Sequence, residues 1–527
     1  MAGASVVRWC RARRLAGRLS LLALTALVSG WVLAGEASAA SPYGSSSILG
    51  GISWNESNKA RYAHGSDIWD SMWASDGLVY GAWGDGNGFL YPSKHQIGIG
   101  SLDGSDPQSL TGADVYGGSA PASSCVTAST VGGKPHGVVA LPSKTMYMFH
   151  PSQDHCSAVW LAKSTTNGMS WTSQVGTLTW PDANGFSPGS ILQTGQAQAG
   201  ALVKESTTTP YLYIYGGKTG DPAGSGKQYL ARVPASPSNA IETKSNWEYY
   251  SGDGSGNGTW SSSSAMATPV FTDPDHAQTM EVTFDKAIGR YIAYNDHGTA
   301  CGGGPCERQV GLFDAPSPWG PWTTFDYEEN FDNTGCGSNC LGDQEAVGWS
   351  VMQKWMSPDG LTIWPGYSSV DWGTTNLYDS ENFIKGTATM ASGTSVKGIS
   401  TSTGTPLVTD RLTLSNPGNI ELIDRTYRWT TIPSAYLNKE VIRLGNLDKS
   451  NSSASYLSFT ITQSENVCVA YDTLATLPSW LSSWTNTGDN LVGHETHRVY
   501  RKNFTAGTVT LGGNASSHDA YEVILNC

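Results

Sequence analysis

The sequence predicts an all-β protein: a five-bladed β-propeller followed by a small C-terminal β-sandwich. Helical periodicity is almost absent. Short runs rich in β-branched and aromatic residues, at 77–83, 137–149, 211–215, 279–294 and 361–367, are broken by Gly, Asn, Asp, Ser and Pro. That is the punctuation of strands and tight turns. A unit of paired strands, with a Trp or Phe near its end in most copies, recurs five times, at roughly 68 residues per unit. Radial repetition is one way an all-β chain limits its exposed edges. A jelly roll is the alternative, and a parallel β-helix would need shorter, stricter periods.

The elements follow in chain order. Arg8, Arg11, Arg13, Arg14 and Arg18 form a positive n-region, an apolar run from Leu19 to about Leu33 follows, and Ala37-Ser38-Ala39 supplies small residues for cleavage. Residues 1–40 therefore read as a signal peptide. The apolar run is short and interrupted by Ser29-Gly30, which disfavours a membrane anchor. The propeller is expected over 41–390. Unit one holds 76–80 and 96–100. Unit two holds 138–149, 158–164 and Trp171. Unit three holds 199–203, 211–215, 228–233 and Trp247. Unit four holds 280–284, 291–294, 309–313, Trp319 and Trp322. Unit five holds 350–355, 361–365, 376–378 and Phe383. Residues 391–408 are Ser/Thr/Gly-rich and read as a linker or a last edge strand. A β-sandwich accessory module is expected over 409–527.

Composition bounds the function. Charged residues are 14% of the 527, and the chain carries 20 Trp, 23 Tyr and 62 Gly. Such a chain buries a large core, which excludes disorder as its main state. The net charge is −13, and loss of five Arg and one Glu with the signal leaves 26 basic and 43 acidic residues, or −17. That disfavours nucleic acid and, after signal cleavage, anionic membrane as partners. The expected location is extracellular.

Eight cysteines remain after the signal, an even count that reads as disulfides in an oxidising compartment. Nearest-neighbour pairing gives Cys125–Cys156, Cys301–Cys306, Cys336–Cys340 and Cys468–Cys527. The rival for Cys301, Cys306, Cys336 and Cys340 is zinc, which usually wants tighter CxxC pairs. No metal and no cofactor is expected.

No G-x-S-x-G elbow, H-E-x-x-H or P-loop is present. His494-Glu495-Thr496-His497 reads as a surface turn, and the calcium-like run from Asp253 to Gly258 as a flexible loop. What remains is carboxylates beside Trp and Tyr. Glycoside hydrolysis needs two carboxyl groups, one protonated and one ionised, flanking the scissile bond. The best pair is Asp67, in Ser66-Asp67-Ile68-Trp69-Asp70, and Asp85, in Trp83-Gly84-Asp85-Gly86-Asn87-Gly88. If Asp67 opens a strand and Asp85 ends the next, a tight turn at Ser75-Asp76-Gly77 brings both to one rim. Trp83 and Asn87 would then meet substrate, and Gly84, Gly86 and Gly88 would leave room for it. The rival reading is that both Asp are turn formers. Further candidate contacts are His136, Glu281, Asp296, His297, Trp349 and Asp371, each at or near a strand end of another unit.

Two resemblances add to this reading. Ser164-Thr165-Thr166-Asn167-Gly168-Met169-Ser170-Trp171 resembles the S-x-D-x-G-x-T-W turn of sialidase-type propellers, with Thr166 in place of Asp. Residues 45–390 resemble the secreted endo-D-arabinanases, a five-bladed propeller family formerly described as a domain of unknown function. The matching residues are Ser66-Asp67, Asp76-Gly77-Leu78-Val79-Tyr80, Trp83-Gly84-Asp85-Gly86-Asn87-Gly88-Phe89, Tyr229-Leu230-Ala231-Arg232-Val233-Pro234, Trp247-Glu248-Tyr249-Tyr250, Met280-Glu281-Val282-Thr283-Phe284-Asp285, Gly289-Arg290-Tyr291 and Trp319-Gly320-Pro321-Trp322. The resemblance implies that Asp67 and Asp85 are the paired catalytic aspartates and that the reaction is internal hydrolysis of D-arabinan. Gly84-Asp85-Gly86-Asn87 departs from the Gly-Asp-Thr-Phe-like run expected there, which bears on the sugar more than on the chemistry.

The C-terminal segment resembles β-sandwich accessory modules of secreted polysaccharide-degrading enzymes. The match lies in Val469-Ala470-Tyr471-Asp472, Leu477-Pro478-Ser479-Trp480-Leu481, Val499-Tyr500 and Ala506-Gly507-Thr508-Val509-Thr510-Leu511-Gly512-Gly513. It implies glycan binding through Trp480 or Trp484, with core packing of those rings as the alternative. Two other functions stay open: a polysaccharide lyase, which needs a Tyr or His base and a cation for the uronate, and a non-catalytic glycan-binding propeller.

Overall fold

The structure, a computed structural model, describes residues 41–527 except 64, 119–130, 152–156, 200–208, 223–224, 254–257, 275–276, 298–299, 302–303, 306–309, 329–345, 370–379, 395, 403–409 and 415–419. The expected signal segment lies outside the described residues. Among them, no helix is long and apolar enough to cross a membrane.

Five antiparallel sheets succeed one another along the chain. Blade 1 is Asp67–Trp73, Val79–Gly86, His95–Asp103 and Thr111–Gly117. Blade 2 is His136–Leu141, Thr145–Pro151, Val159–Ser164 and Thr179–Trp180. Blade 3 is Phe186–Ile191, Tyr211–Lys218, Lys227–Pro234 and Glu248–Tyr250, extended by Trp260–Ser261. Blade 4 is Ala277–Asp285, Arg290–His297, Val310–Ala315 and Thr323–Glu328. Blade 5 is Ala346–Val351, Pro365–Ser369, Ser380–Met390 and, outermost, Leu49–Tyr62 from the other end of the domain.

The hairpins form for local reasons. In blade 1, Asp76 Oδ1 accepts the Leu78 N–H at 3.1 Å, and Gly77 takes φ +91°. An Asx turn followed by a left-handed glycine is a compact reversal. The Ser164–Trp171 turn behaves as its resemblance implies. Ser164 Oγ accepts the Gly168 N–H at 2.9 Å, and Trp171 Nε1 donates to the Gly168 carbonyl at 2.9 Å.

The first strands surround one axis and are tied side to side. Asp70 Oδ2 accepts the Gly137 N–H at 2.9 Å, Gln193 Nε2 donates to the Val138 carbonyl at 2.9 Å, and Ser350 Oγ donates to the Trp69 carbonyl at 3.4 Å. Ser190 Oγ donates to the Met280 carbonyl. Apolar packing closes the same circle. One buried cluster lies between each neighbouring pair of blades, with Met148 (1–2), Phe149 (2–3), Phe271 (3–4), Tyr367 (4–5) and Phe383 (5–1) among their members. Five sheets around one axis is the predicted propeller.

Three features of its strands go beyond the sequence reading. Blade 3 opens with Phe186–Ile191, and of the expected run 199–203, residues 200–203 lie outside the described residues. In blade 5 the first strand is Ala346–Val351, and Gln353–Trp355 is a helical turn. The closing strand Leu49–Tyr62 is paired along Ser380–Met390, so chain closure joins the two ends of the domain.

The C-terminal segment stacks two sheets. Val396–Thr401, Leu457–Ile461 and Gly507–Leu511 form one. Asp410–Thr413, Glu440–Arg443, Glu522–Leu525, Glu465–Asp472, Thr496–Phe504 and Thr485–Val492 form the other, in that order. Phe459, Val509 and Leu511 from the first pack with Val467, Val469 and Val523 from the second. Residues 396–401, within the stretch read as a linker or a last edge strand, are an edge strand of this module. That strand also touches the propeller: the Ile399 N–H donates to the Ala287 carbonyl at 2.9 Å, and Lys397 pairs with Asp359 at 3.0 Å. Ala287 and Asp359 lie between the first and second strands of blades 4 and 5, the end away from Asp67.

Cys468 and Cys527 form the expected disulfide. It spans 59 residues and lies in the core. Closing a loop of that length removes unfolded-state entropy worth about 4 kcal/mol. Replacing both cysteines by Ser is expected to lower module stability by about that amount, read by denaturant unfolding. Cys125, Cys156, Cys306, Cys336 and Cys340 lie outside the described residues. Cys301 is described only as backbone, in the short strand Ala300–Cys301.

Candidate active site at the rim of blade 1

In an antiparallel blade, the start of the first strand, the end of the second and the start of the third share one end. Asp67 opens the first strand of blade 1, and Asp85 is the penultimate residue of the second. Both stand at the same end, as the spacing predicts. His136 opens blade 2 there, and Asp296 and His297 close the second strand of blade 4 there.

Asp67 is 7% exposed and forms an ion pair with Lys134, from the segment leading into blade 2. Its cross-strand partner is Gly84, and a Cβ added there would lie 2.6 Å from Asp67 Oδ1. The carboxylate therefore lies over the glycine. Asp85 is more open. Its side chain is 27% exposed, and Oδ2 meets Lys94 Nζ at 2.9 Å.

Both aspartates sit at unusual backbone. Asp85 has φ +44° and Ile68, next to Asp67, has φ +50°. A β-branched residue in the left-handed region is an outlier. The pairing of blade 1 slips one residue between Asp67 and Asp70, so Ile68 lies in a bulge. Such strain persists only where surrounding contacts over-determine it. Those contacts are present. Ser66 Oγ accepts the Gly88 N–H at 2.7 Å, and Trp69 Nε1 donates to the Ser66 carbonyl at 3.0 Å. Asp114 accepts the N–H groups of Phe89 and Leu90 at 2.7 and 2.6 Å.

The structure redistributes the other candidates. Trp83 is fully buried against Trp69, Tyr91 and His95, so it supports the rim and does not meet substrate. Trp349 is also buried, stacked on Tyr367 at 4.8 Å. Tyr91 stands at this rim, half-buried and 4.8 Å from the His95 ring. Asn87 shapes the loop, donating to the Tyr91 carbonyl at 3.0 Å. Gly84, Gly86 and Gly88 do not leave room for a ligand. Their missing side chains make way for Asp67, for Gly65 and Ser66, and for Asp114 with Trp83. Glu281 lies within the first strand of blade 4, half-buried, on a narrow axial void with Thr283, Tyr294 and Ser350. Asp296 and His297 belong to the strand itself and do not follow it. Asp371 lies outside the described residues. Trp484 packs in the module core, and half-buried Trp480 packs against that core and donates to the Gly513 carbonyl at 3.1 Å.

His136 is half-buried, and burial, with His150 adding its charge, pushes its pKa down to about 4. Its folded value is below the unfolded one, so the neutral form is favoured. The stability it contributes is present above about pH 6.5 and is lost as pH falls towards 4. Urea unfolding at pH 7 and pH 4.5 is expected to show a steeper loss in the native protein than in His136→Gln, by up to about 3 kcal/mol.

Sequence reasoning missed Lys134, Lys94, Tyr91 and Glu381. The lysines carried no motif. Glu381 is fully buried, and burial, with Asp70 adding its charge, raises its pKa well above the usual carboxylate range. It begins the third strand of blade 5, behind the first strand of blade 1.

Residues 123–336 match the family model described as a domain of unknown function, DUF4185. No curated protein matches the chain. Among solved structures, the chain is similar to an exo-β-1,3-galactanase of Phanerochaete chrysosporium, at 13% identity, TM-score 0.34, covering 91% of this chain and 99% of that one. It is similar to the native arabinanase of Bacillus subtilis, at 11% identity and TM-score 0.34, covering 62% and 97%. It is also similar to a GH43_12 protein retrieved from a capybara gut metagenome, at 9% identity and TM-score 0.37, covering 91% and 99%. At these distances the likeness does not reach function, which rests on the site.

Proposed function

We propose that the protein is an exported glycoside hydrolase that cleaves D-arabinan internally, with Asp67 and Asp85 as its working carboxyl pair. The observation that carries this reading is the coincidence of two left-handed residues, Ile68 and Asp85, with the two aspartates at one rim. Strain held in place by Ser66, Asp114 and the packed Trp69–Trp83 pair fits a site whose geometry matters more than its stability.

The roles divide by environment. Lys134 beside buried Asp67 favours its carboxylate, which suits the base or nucleophile. Asp85 lies in the more exposed pair, so entering sugar can displace Lys94 and leave Asp85 to carry the proton to the leaving oxygen. A neutral furanoside chain suits a rim where charge is already paired and Tyr91 offers a flat face.

A lyase would need a free cation for a uronate, whereas Lys94 and Lys134 are engaged by the aspartates. The test is a panel of arabinans, other plant and bacterial glycans and uronate polymers, with product sizing. Short oligomers appearing early from D-arabinan are expected. Absorbance from an unsaturated uronate would favour the lyase, and binding without cleavage anywhere would favour a glycan-binding propeller.

A further inference from the structure

The C-terminal module brings together three side chains that no sequence motif joins. Asp472 ends the strand Glu465–Asp472, Glu495 lies in the turn before Thr496–Phe504, and His518 lies in the segment before Glu522–Leu525. One ligand atom from each lies within 4.8 Å of the others. The three therefore converge from separate strand ends on a common point.

Their surroundings are built. Asp472 is 1% exposed, and its carboxylate is fixed by the N–H groups of Leu474 at 2.7 Å and Asp519 at 3.0 Å. Asp519, beside His518, is in turn held by Asn446 Nδ2 at 2.8 Å and His494 Nδ1 at 2.8 Å. His494 lies flat on Tyr427 at 3.8 Å. Fixed outer partners of this kind orient metal ligands. A second observation concerns charge. Glu421 is fully buried, accepts the His494 N–H at 2.9 Å and meets His497 Nδ1 at 3.3 Å, and the carboxylates of Asp519, Asp472 and Glu495 also act on it. Burial keeps Glu421 protonated, whereas the carboxyl groups of Asp472, Glu495 and Asp519 gathered beside it favour a bound cation.

We propose that Asp472, Glu495 and His518 bind a divalent transition metal of the zinc class, clasping three strand ends of the accessory module. An imidazole among the donors favours such an ion over calcium or magnesium, which take oxygen ligands. Zinc held at about 2.0–2.2 Å needs donors closer together than 4.8 Å, so Glu495 and His518, both half-buried on turns, move inward on binding. Three protein ligands leave one position for water. The role is to stabilise the module, and it is independent of the hydrolase reading.

The experiment uses the full chain, stripped by chelator and titrated with zinc chloride by calorimetry, with thermal unfolding alongside. One equivalent should bind and raise the unfolding temperature. His518→Ala and Glu495→Gln should each weaken binding by more than about tenfold, since losing a ligand costs at least as much as losing an outer partner. Polysaccharide cleavage should be unchanged in both. Absence of saturable zinc binding overturns the proposal. So does binding that survives both substitutions, or calcium binding that His518→Ala leaves intact.

Discussion

Asp67→Asn and Asp85→Asn are each expected to lower kcat/KM on the cleaved polysaccharide by about 10²–10⁴-fold, the range for loss of a positioned acid or base. Asn keeps the shape of the side chain and loses its charge and its proton. The fold should survive. Lys134 keeps a quarter of its side chain in solvent and Lys94 nearly half, so neither ammonium is stranded in the core. Groups that act in one step are not additive, so the double variant should be little worse than the more damaged single one. Circular dichroism and unfolding temperature separate lost chemistry from lost structure. Full activity in both single variants would remove the site assignment.

Gly86→Ala is expected to be the most damaging conservative change at the rim. A Cβ there would collide with the Gly65 carbonyl oxygen and Ser66 Cα, which are backbone and cannot swing aside, as well as with Ser66 Oγ. Overpacking of this kind costs about 1–3 kcal/mol and forces the backbone to shift. The segment that must shift leads directly into Asp67. A displacement of about 1 Å at a reacting group can cost about 10²-fold in rate, so stability and kcat should fall together. Gly217→Ala is the control: a Cβ at that strand position meets nothing within 4 Å, and its stability should change by no more than about 0.5 kcal/mol. Urea unfolding and initial rates of both variants check the pair.

Strand period and turn chemistry made most of the propeller legible, because Asp76-Gly77 and its counterparts act locally. What escaped depended on distant pairing. Leu49–Tyr62 reads as an ordinary strand, and nothing local says that its partner is Ser380–Met390. Residues 396–401 read as either a linker or an edge strand, because an edge strand with one face to solvent needs few large apolar residues; within that run only Val396 and Ile399 are buried. At the site, the shared rim of Asp67 and Asp85 followed from hairpin geometry. Lys134 could not, because its pairing depends on how blade 2 lies against blade 1. Trp83 and Trp349 misled for a simple reason: an aromatic beside a carboxylate has the same sequence whether its ring faces sugar or core. The glycines near Asp85 misled in the same way, since space for a ligand and space for Ser66 call for the same residue.

The most direct test of the carboxylate's chemical role is rescue of Asp67→Ala by a small external carboxylate. Initial rates on D-arabinan would be measured in sodium formate and in sodium chloride of equal ionic strength. If Asp67 acts as base or nucleophile, formate should raise the rate at least about tenfold by occupying the vacated space. Equal rates in the two salts, from a variant that remains folded and binds the polysaccharide, would contradict the account.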